Sequence, residues 1–118
     1  MAGAWVVLEH PEFARERERL PDATQDKLAA ILSTLAVYGP ELGRPYVDTL
    51  NASRHSNMKE IRVSAEGVWR FAFAFDPDRN AVILVCGDKE GDNQAAFYKK
   101  LIRRADKRFD YWLRMYRK

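Results

Sequence analysis

Residues 58–87 decide the fold: MKEIRVS (58–64), AEG (65–67), VWRFAFAFD (68–76), PDRN (77–80) and AVILVCG (81–87). Three runs rich in β-branched and aromatic residues are separated by two segments of hairpin length, which predicts an antiparallel meander. Alternation along the middle run sends Trp69, Phe71, Phe73 and Phe75 to one face and Arg70, Ala72 and Ala74 to the other. In the first run Ile61 and Val63 share the aromatic face, so Glu60, Arg62 and Ser64 fall beside Arg70. A three-residue loop at 65–67 keeps this parity and pairs Ser64 with Val68, Arg62 with Arg70 and Glu60 with Ala72. Two guanidinium groups opposed on one face are unfavourable, by a few tenths of a kcal/mol up to about 1, unless an anion or carboxylate lies between them. A four-residue loop at 77–80 pairs Asp76 with Ala81, Phe73 with Leu84, Phe71 with Cys86 and Arg70 with Gly87, and Lys89 then emerges beside Arg70. Arg62, Arg70 and Lys89 are expected to converge over a floor of small residues, Ala72, Ala74 and Gly87. Such a cluster suits a phosphate and the extra charge of a phosphoryl transition state. The competing reading is a structural network in which Glu60, Asp88 and Asp92 neutralise the arginines.

Upstream, Trp5-Val6-Val7-Leu8 reads as a short strand that ends at His10-Pro11. PEFARERERL (11–20) reads as an exposed helix stopped by Pro21. With Asp22 as N-cap, Leu28, Ile31, Leu32, Leu35 and Ala36 recur at helical spacing up to Tyr38-Gly39-Pro40. Residues 39–57 read as a long ordered loop, a kind that is often functional in small domains. Downstream, 94–117 places Phe97, Leu101, Ala105, Phe109, Trp112 and Tyr116 on one stripe, with Lys99, Lys100, Arg103, Lys107 and Arg114 largely outside it; unbroken, this helix is roughly 35 Å long. The expectation is an α+β fold in the order β-α-α-β-β-β-α. Its meander packs on two N-terminal helices, a long basic helix closes the chain, and residues 1–118 form one domain.

Composition narrows the function. Three Trp, five Tyr and six Phe in 118 residues argue against disorder, and a single Cys with two His argues against a disulfide scaffold or a Cys/His zinc site. No run reaches the roughly 20 apolar residues of a membrane span, and no basic leader precedes an apolar stretch, so the expected compartment is the cytoplasm. Charge is split: residues 1–52 carry five basic and eight acidic groups, residues 53–118 fifteen and nine. Residues 99–118 hold nine basic groups against Asp106 and Asp110. Such a helix attracts polyanions, or is simply a solvated face. Cys86 reads as a small buried hydrophobe. His55, in the 39–57 loop, is either a proton-transfer group or an exposed loop residue. Tyr98 either stacks on a base or packs beside the helical stripe.

The segments NASRHSNMKEIR (51–62), VWRFAFAFDP (68–77) and GDKEG (87–91), together with the element order, resemble the HigB-type branch of the RelE/ParE toxin superfamily over nearly the whole chain. The resemblance implies the toxin of a type II toxin–antitoxin pair, an mRNA interferase that cuts mRNA in the ribosomal A site with neither metal nor cofactor. In that chemistry the ribose 2′-OH attacks the adjacent phosphate while side chains stabilise the pentavalent state. Carried over by position, catalytic roles fall to Arg70, Arg62, Lys89 and His55. Arg54, Lys59, Tyr98, Lys99, Lys100 and Arg103 form the expected RNA-binding set. Where that family carries a late histidine or tyrosine, Asp88-Lys89-Glu90-Gly91 stands here, with Phe97 and Tyr98 the nearest aromatic groups, so the proton donor is left open. Two other functions suit the same fold class. One is a ParE-like toxin that binds and inhibits a topoisomerase, which the convergent cations disfavour. The other is a non-catalytic nucleic-acid-binding module resting on the terminal helix. The implied partners are ribosome-bound mRNA and a small antitoxin, HigA-like with a helix-turn-helix domain. The antitoxin would dock with acidic residues in the basic cleft or on the acidic surface around Glu9, Glu12, Glu16 and Glu18.

Overall fold

In the computed structural model, which describes residues 5–91 and 93–116, the chain runs β1 (Val6–Glu9), α1 (Pro11–Arg17), α2 (Asp22–Tyr38), a 3-10 turn (Gly39–Glu41), β2 (Val47–Thr49), β3 (Met58–Ser64), β4 (Val68–Phe75), β5 (Asn80–Asp88) and α3 (Gln94–Met115). The five strands form one sheet in the order β1-β5-β4-β3-β2, with β1 parallel to β5 and the other pairs antiparallel. The architecture is α+β as expected, with one addition: the 39–57 segment contains β2. Val47 is buried opposite Ile61, and that tertiary burial makes a strand of a segment too short and polar to announce one.

Two helix boundaries differ from expectation. α1 stops at Arg17, because the chain turns so that the Leu20 N–H reaches the Arg17 carbonyl at 3.1 Å and Leu20 is buried. Pro21, not Asp22, occupies the N-cap of α2, and no side chain caps it. His10 caps α1, its Nδ1 accepting the Glu12 N–H at 3.1 Å.

The alternation of β4 separates two cores. Phe71, Phe73 and Phe75 join Ile61, Val63, Phe13, Leu28 and Leu35 between the sheet and helices α1 and α2. On the other face, Ala72, Ala74, Val82, Leu84 and Val85 lie under Leu101, Ile102, Ala105, Phe109 and Trp112 of α3. The floor of small residues is therefore not open. Ala72 and Ala74 are fully buried, and a Cβ on Gly87 would come within 3.0 Å of Phe97; small side chains let the helix approach the strands. Tyr116, placed on the apolar stripe of α3 by spacing, is exposed, while Asp106 is buried.

The β3–β4 register is the expected one, Ser64 to Val68, Arg62 to Arg70 and Glu60 to Ala72. The β4–β5 register is not uniform. Phe75 pairs with Ala81 and Phe73 with Ile83, correcting the expected Asp76–Ala81 and Phe73–Leu84 pairs; a bulge at Ala72/Phe73 then restores Phe71–Cys86 and Arg70–Gly87. The tight turn is responsible: Asp76 accepts the backbone N–H groups of Asp78 and Asn80, both at 2.9 Å, and closes the hairpin one residue earlier. Cys86 is half-buried against the α1–α2 core, and desolvation pushes its thiol up to about 12, far from nucleophilic use.

The β3–β4 turn depends on Gly67. Its φ is +136°, and a Cβ there would lie 2.6 Å from Trp69 Nε1 and 2.9 Å from Asp88 Oδ2. Gly67→Ala is expected to destabilise the fold by about 1–3 kcal/mol, seen as a lower urea midpoint with an unchanged m-value; an unchanged midpoint refutes it.

Candidate active site

The pairing of β3 with β4 sets Arg62 opposite Arg70. Glu60, only 3% exposed, sits diagonally between them. Its Oε2 accepts Arg62 Nε–H at 3.1 Å, and its Oε1 accepts the Tyr98 hydroxyl at 2.8 Å and lies 3.7 Å from Arg70 Nε. Tyr98 Oη in turn accepts Arg70 Nε–H at 3.0 Å, and Arg70 Nη1 donates to the Trp69 carbonyl at 3.1 Å. A buried carboxylate and a phenol from α3 thus relieve the opposition of two guanidinium groups. Arg62 Nη2 also lies 3.7 Å from Asp48, which holds Arg44 at 2.8 Å.

Burial alone would lower the Arg62 pKa, but the charge and hydrogen bond of Glu60 outweigh it and the guanidinium stays charged. Burial, reinforced by the hydrogen bond to Glu60, raises the Tyr98 pKa and keeps the phenol protonated. Arg70 is buried at 9% exposure, and among the described residues its Nη2 has no hydrogen-bond partner. Lys89 donates its backbone N–H to the Val68 carbonyl at 2.8 Å, so pairing continues past β5 and alternation puts Lys89 on the Arg70 face. Among the described residues Lys89 has no ion-pair partner. Glu60 alone of the three expected neutralisers meets the arginines. Asp88 instead ties the turn, accepting the Val68 and Glu90 N–H groups at 3.0 Å, and Asp92 lies outside the described residues.

His55 is not brought to this cluster. Its Nε2 meets Asp110 Oδ1 at 2.8 Å and its ring abuts Phe109 at 4.9 Å. Asp110 follows Tyr98 by twelve residues on α3, about 18 Å along the axis. His55 belongs to a clamp in which Asp106 accepts from Ser53 Oγ and the Arg54 N–H, while Asp110 pairs with the Arg54 guanidinium and His55. Burial would raise the Asp110 carboxyl, but the hydrogen bonds from Arg54 and His55 hold it below the usual range. The signal for the clamp was present: Asp106 and Asp110 are the only acidic residues in α3 and stand four apart.

The expected RNA-binding residues divide. Arg54, Tyr98, Lys99 and Arg103 line one groove of about 410 Å3 between α3 and the 52–54 segment. Lys100 lies in a different groove, with Cys86, Phe97 and Arg104. Lys59 shares the Ile61 side of β3 by alternation, away from Arg62, and donates to Thr49 Oγ1 at 3.1 Å. Glu60, expected only as a neutraliser, and Tyr98, expected among the RNA-binding residues, complete the cluster. Tyr98 was accessible through its spacing to Ile102, which places both under the sheet-facing side of α3.

The family described as Phage derived protein Gp49-like (DUF891) matches residues 15–110. Two proteins of Mycobacterium tuberculosis (strain ATCC 25618 / H37Rv) carrying the toxin names HigB3 and HigB2 are similar in sequence. The first is 41% identical over 101 residues, 86% of this chain and 82% of the relative. The chain belongs to the Gp49-like family and is a HigB-like member of it. The second relative is 42% identical over 88 residues, 73% of this chain and 43% of its own longer length. The HigB-like fold is also that of solved structures. A mutant of E. coli toxin RelE in the free state superposes with a TM-score of 0.65 at 14% identity, covering 89% of this chain and 97% of RelE. A chain of the archaeal RelE–RelB complex from Pyrococcus horikoshii OT3 gives 0.57 at 18% identity, covering 75% of this chain and 99% of that one.

Proposed function

We propose that this chain is the toxin of a type II toxin–antitoxin system and a metal-independent endoribonuclease that cleaves translated mRNA on the ribosome. The observation that carries this reading is the cluster of Arg62, Arg70, Glu60 and Tyr98, with Lys89 on the same face and a cationic groove beside it. In this reading RNA follows Arg54, Lys99 and Arg103, and the scissile phosphate reaches Arg70, Arg62 and Lys89, whose charges favour the pentavalent state over the diester. Tyr98 Oη–H turns from Glu60 Oε1 to the leaving oxygen and gives up its proton there; the phenolate left behind is held by the Arg70 Nε–H it already accepts, and the Glu60 carboxylate so released takes the proton of the attacking 2′-OH. His55 acts at a distance, by positioning the 52–57 segment that bears Arg54.

The RelB partner of the P. horikoshii RelE supports a protein antitoxin for this chain, and the site of action is the cytoplasm, where translated mRNA resides. Among the described residues no helix is long and apolar enough to cross a membrane. The test is primer extension on an mRNA translated in vitro with the purified chain. Cleavage within the reading frame, dependent on ribosomes and leaving a cyclic phosphate or its hydrolysed form, is the expected outcome. Intact mRNA together with an inhibited topoisomerase would establish the ParE-like alternative. Tyr98→Phe is expected to slow cleavage by about 10²-fold with a small change in unfolding midpoint; unaltered cleavage removes Tyr98 as proton donor.

A further inference from the structure

A second cationic site lies on the opposite flank of α3 from the 53–55 clamp. There α1 and α3 enclose a groove of about 590 Å3 whose cations are Arg15, Arg104, Lys107, Arg108 and Arg114. Arginines engage carboxylates that made this surface read as acidic, Glu9 at the end of β1 and Glu12 and Glu16 on α1; Glu18 has no ion-pair partner among the described residues, and Glu16 Oε1 is buried without a hydrogen-bond partner. Glu9 pairs with Arg17, Glu12 meets Arg108 at 3.3 Å, and Glu16 meets Arg108 at 2.7 Å and Arg104 at 3.0 Å. The expected acidic docking surface around Glu9, Glu12, Glu16 and Glu18 is thus largely neutralised, and the groove beside it is positive. Among the described residues Arg15 and Lys107 have no ion-pair partner, and Arg114 lies over the Tyr111 ring at 5.9 Å.

His10 supplies an observation independent of charge. It lines the groove, is 2% exposed, and its Nδ1 accepts the Glu12 N–H. Neutral imidazole with Nδ1 as acceptor carries its proton on Nε2. That Nε2 is buried and has no hydrogen-bond partner, a rare condition for a buried donor. We propose that this groove binds an acidic peptide segment of a protein partner, with one carboxylate accepting from His10 Nε2–H and others meeting Lys107 and Arg114. Those two residues are about 10 Å apart along α3, the span of about three extended peptide residues.

A peptide fits better than RNA. Tyr111 already has the His10 ring at 6.0 Å, Tyr116 at 6.4 Å and Arg114 above it, and Tyr116 lies on Trp112 at 4.4 Å, which leaves little aromatic face for unpaired bases. Exposed Tyr111, Met115 and Tyr116 beside arginines are instead the residue types enriched at protein interfaces.

The test titrates the full chain with an octaglutamate peptide by calorimetry while His10 Nε2 is followed by long-range proton–nitrogen NMR. Saturable binding that shifts the Nε2 resonance is expected. Lys107→Glu and Arg114→Glu, both at exposed positions, should each weaken it by about 10-fold or more. His10→Asn, which keeps an acceptor for the Glu12 N–H, should weaken it several-fold. The same affinity is expected for Arg70→Ala, so failure of the nuclease reading leaves this result untouched. Absence of saturable binding, or binding indifferent to all three groove variants, overturns the proposal. So does a ten-nucleotide RNA that binds more tightly than the peptide and is weakened by the same variants, because the groove would then be a nucleic-acid site.

Discussion

Arg70→Ala is expected to reduce ribosome-dependent RNA cleavage by about 10²–10³-fold, the scale of losing one preorganised donor to a developing anion, and to relieve growth arrest on expression. The guanidinium is held from two sides, by Tyr98 and by the Trp69 carbonyl, so its remaining amino group presents charge without reorganising when a phosphate arrives. Its removal leaves Glu60 paired with Arg62 and still accepting from Tyr98, so the fold should lose only about 1–2 kcal/mol. Arg70→Lys separates charge from geometry: a lysine restores a point charge but cannot serve the phenol, the carbonyl and a phosphate with one planar fork, and only partial activity should return. Cleavage and unfolding midpoint are measured on the same preparations. A folded Arg70→Ala protein that cuts mRNA at the original rate eliminates the site.

The largest stability effect should come from Asp76. The side chain is 7% exposed and accepts four hydrogen bonds, from the N–H groups of Asp78 and Asn80, from Asn80 Nδ2 at 2.9 Å and from Trp112 Nε1 at 3.0 Å. It therefore joins the β4–β5 turn to the far end of α3. Asp76→Ala strands a buried indole N–H and opens the turn, at a cost of about 3 kcal/mol and a fall in Tm of roughly 10 °C; Asp76→Asn keeps an acceptor and should lose less. Burial by itself would raise this carboxyl, but the hydrogen bonds from Asn80 and Trp112 prevail and hold it below its usual range. A carboxyl depressed in the folded state stabilises fully above the unfolded value of about 3.9 and loses that contribution as pH falls through the lower folded value. The Asp76→Ala protein should accordingly show a shallower acid limb than the wild type when Tm is followed below pH 4. Equal acid limbs would contradict the assignment.

The sequence alone makes the Arg62–Arg70 pair legible, because a three-residue turn and strict alternation leave no other parity for β3 and β4. Glu60 followed from the same count. The rest depended on distant contacts. β2 exists because Val47 finds Ile61, a partner fourteen residues away that no local pattern reveals. Ala72, Ala74 and Gly87 look like an empty platform in sequence, yet smallness equally suits the close approach of α3, and only the landing point of Phe97 decides between them. Tyr98 reached the arginines for the same reason, from 28 positions beyond Arg70. The position of His55 is not legible in the sequence, because the course of its loop is set by Asp106 and Asp110, whose meaning emerges once the loop lies on them. The acidity of α1 misled in the opposite direction, since its charges are cancelled by arginines some ninety residues later.

The bulge in β5 has a reach beyond the hairpin that contains it. Leu84 and Val85, successive residues, both enter the α3 core, whereas Cys86 returns to the α1–α2 core. Every position after them is thereby shifted in phase by one, and this shift, rather than any property of its ammonium, is what delivers Lys89 to the side of the sheet where Arg70 stands. Substitution at Leu84 would look like a change of ordinary filling, and excising the residue would make the ladder regular with Lys89 still opposite Val68; forcing the strand into regular alternation with Leu84 retained is what would carry the lysine to the opposite side. The placing of an irregularity, not only residue type, is a heritable component of this protein's chemistry.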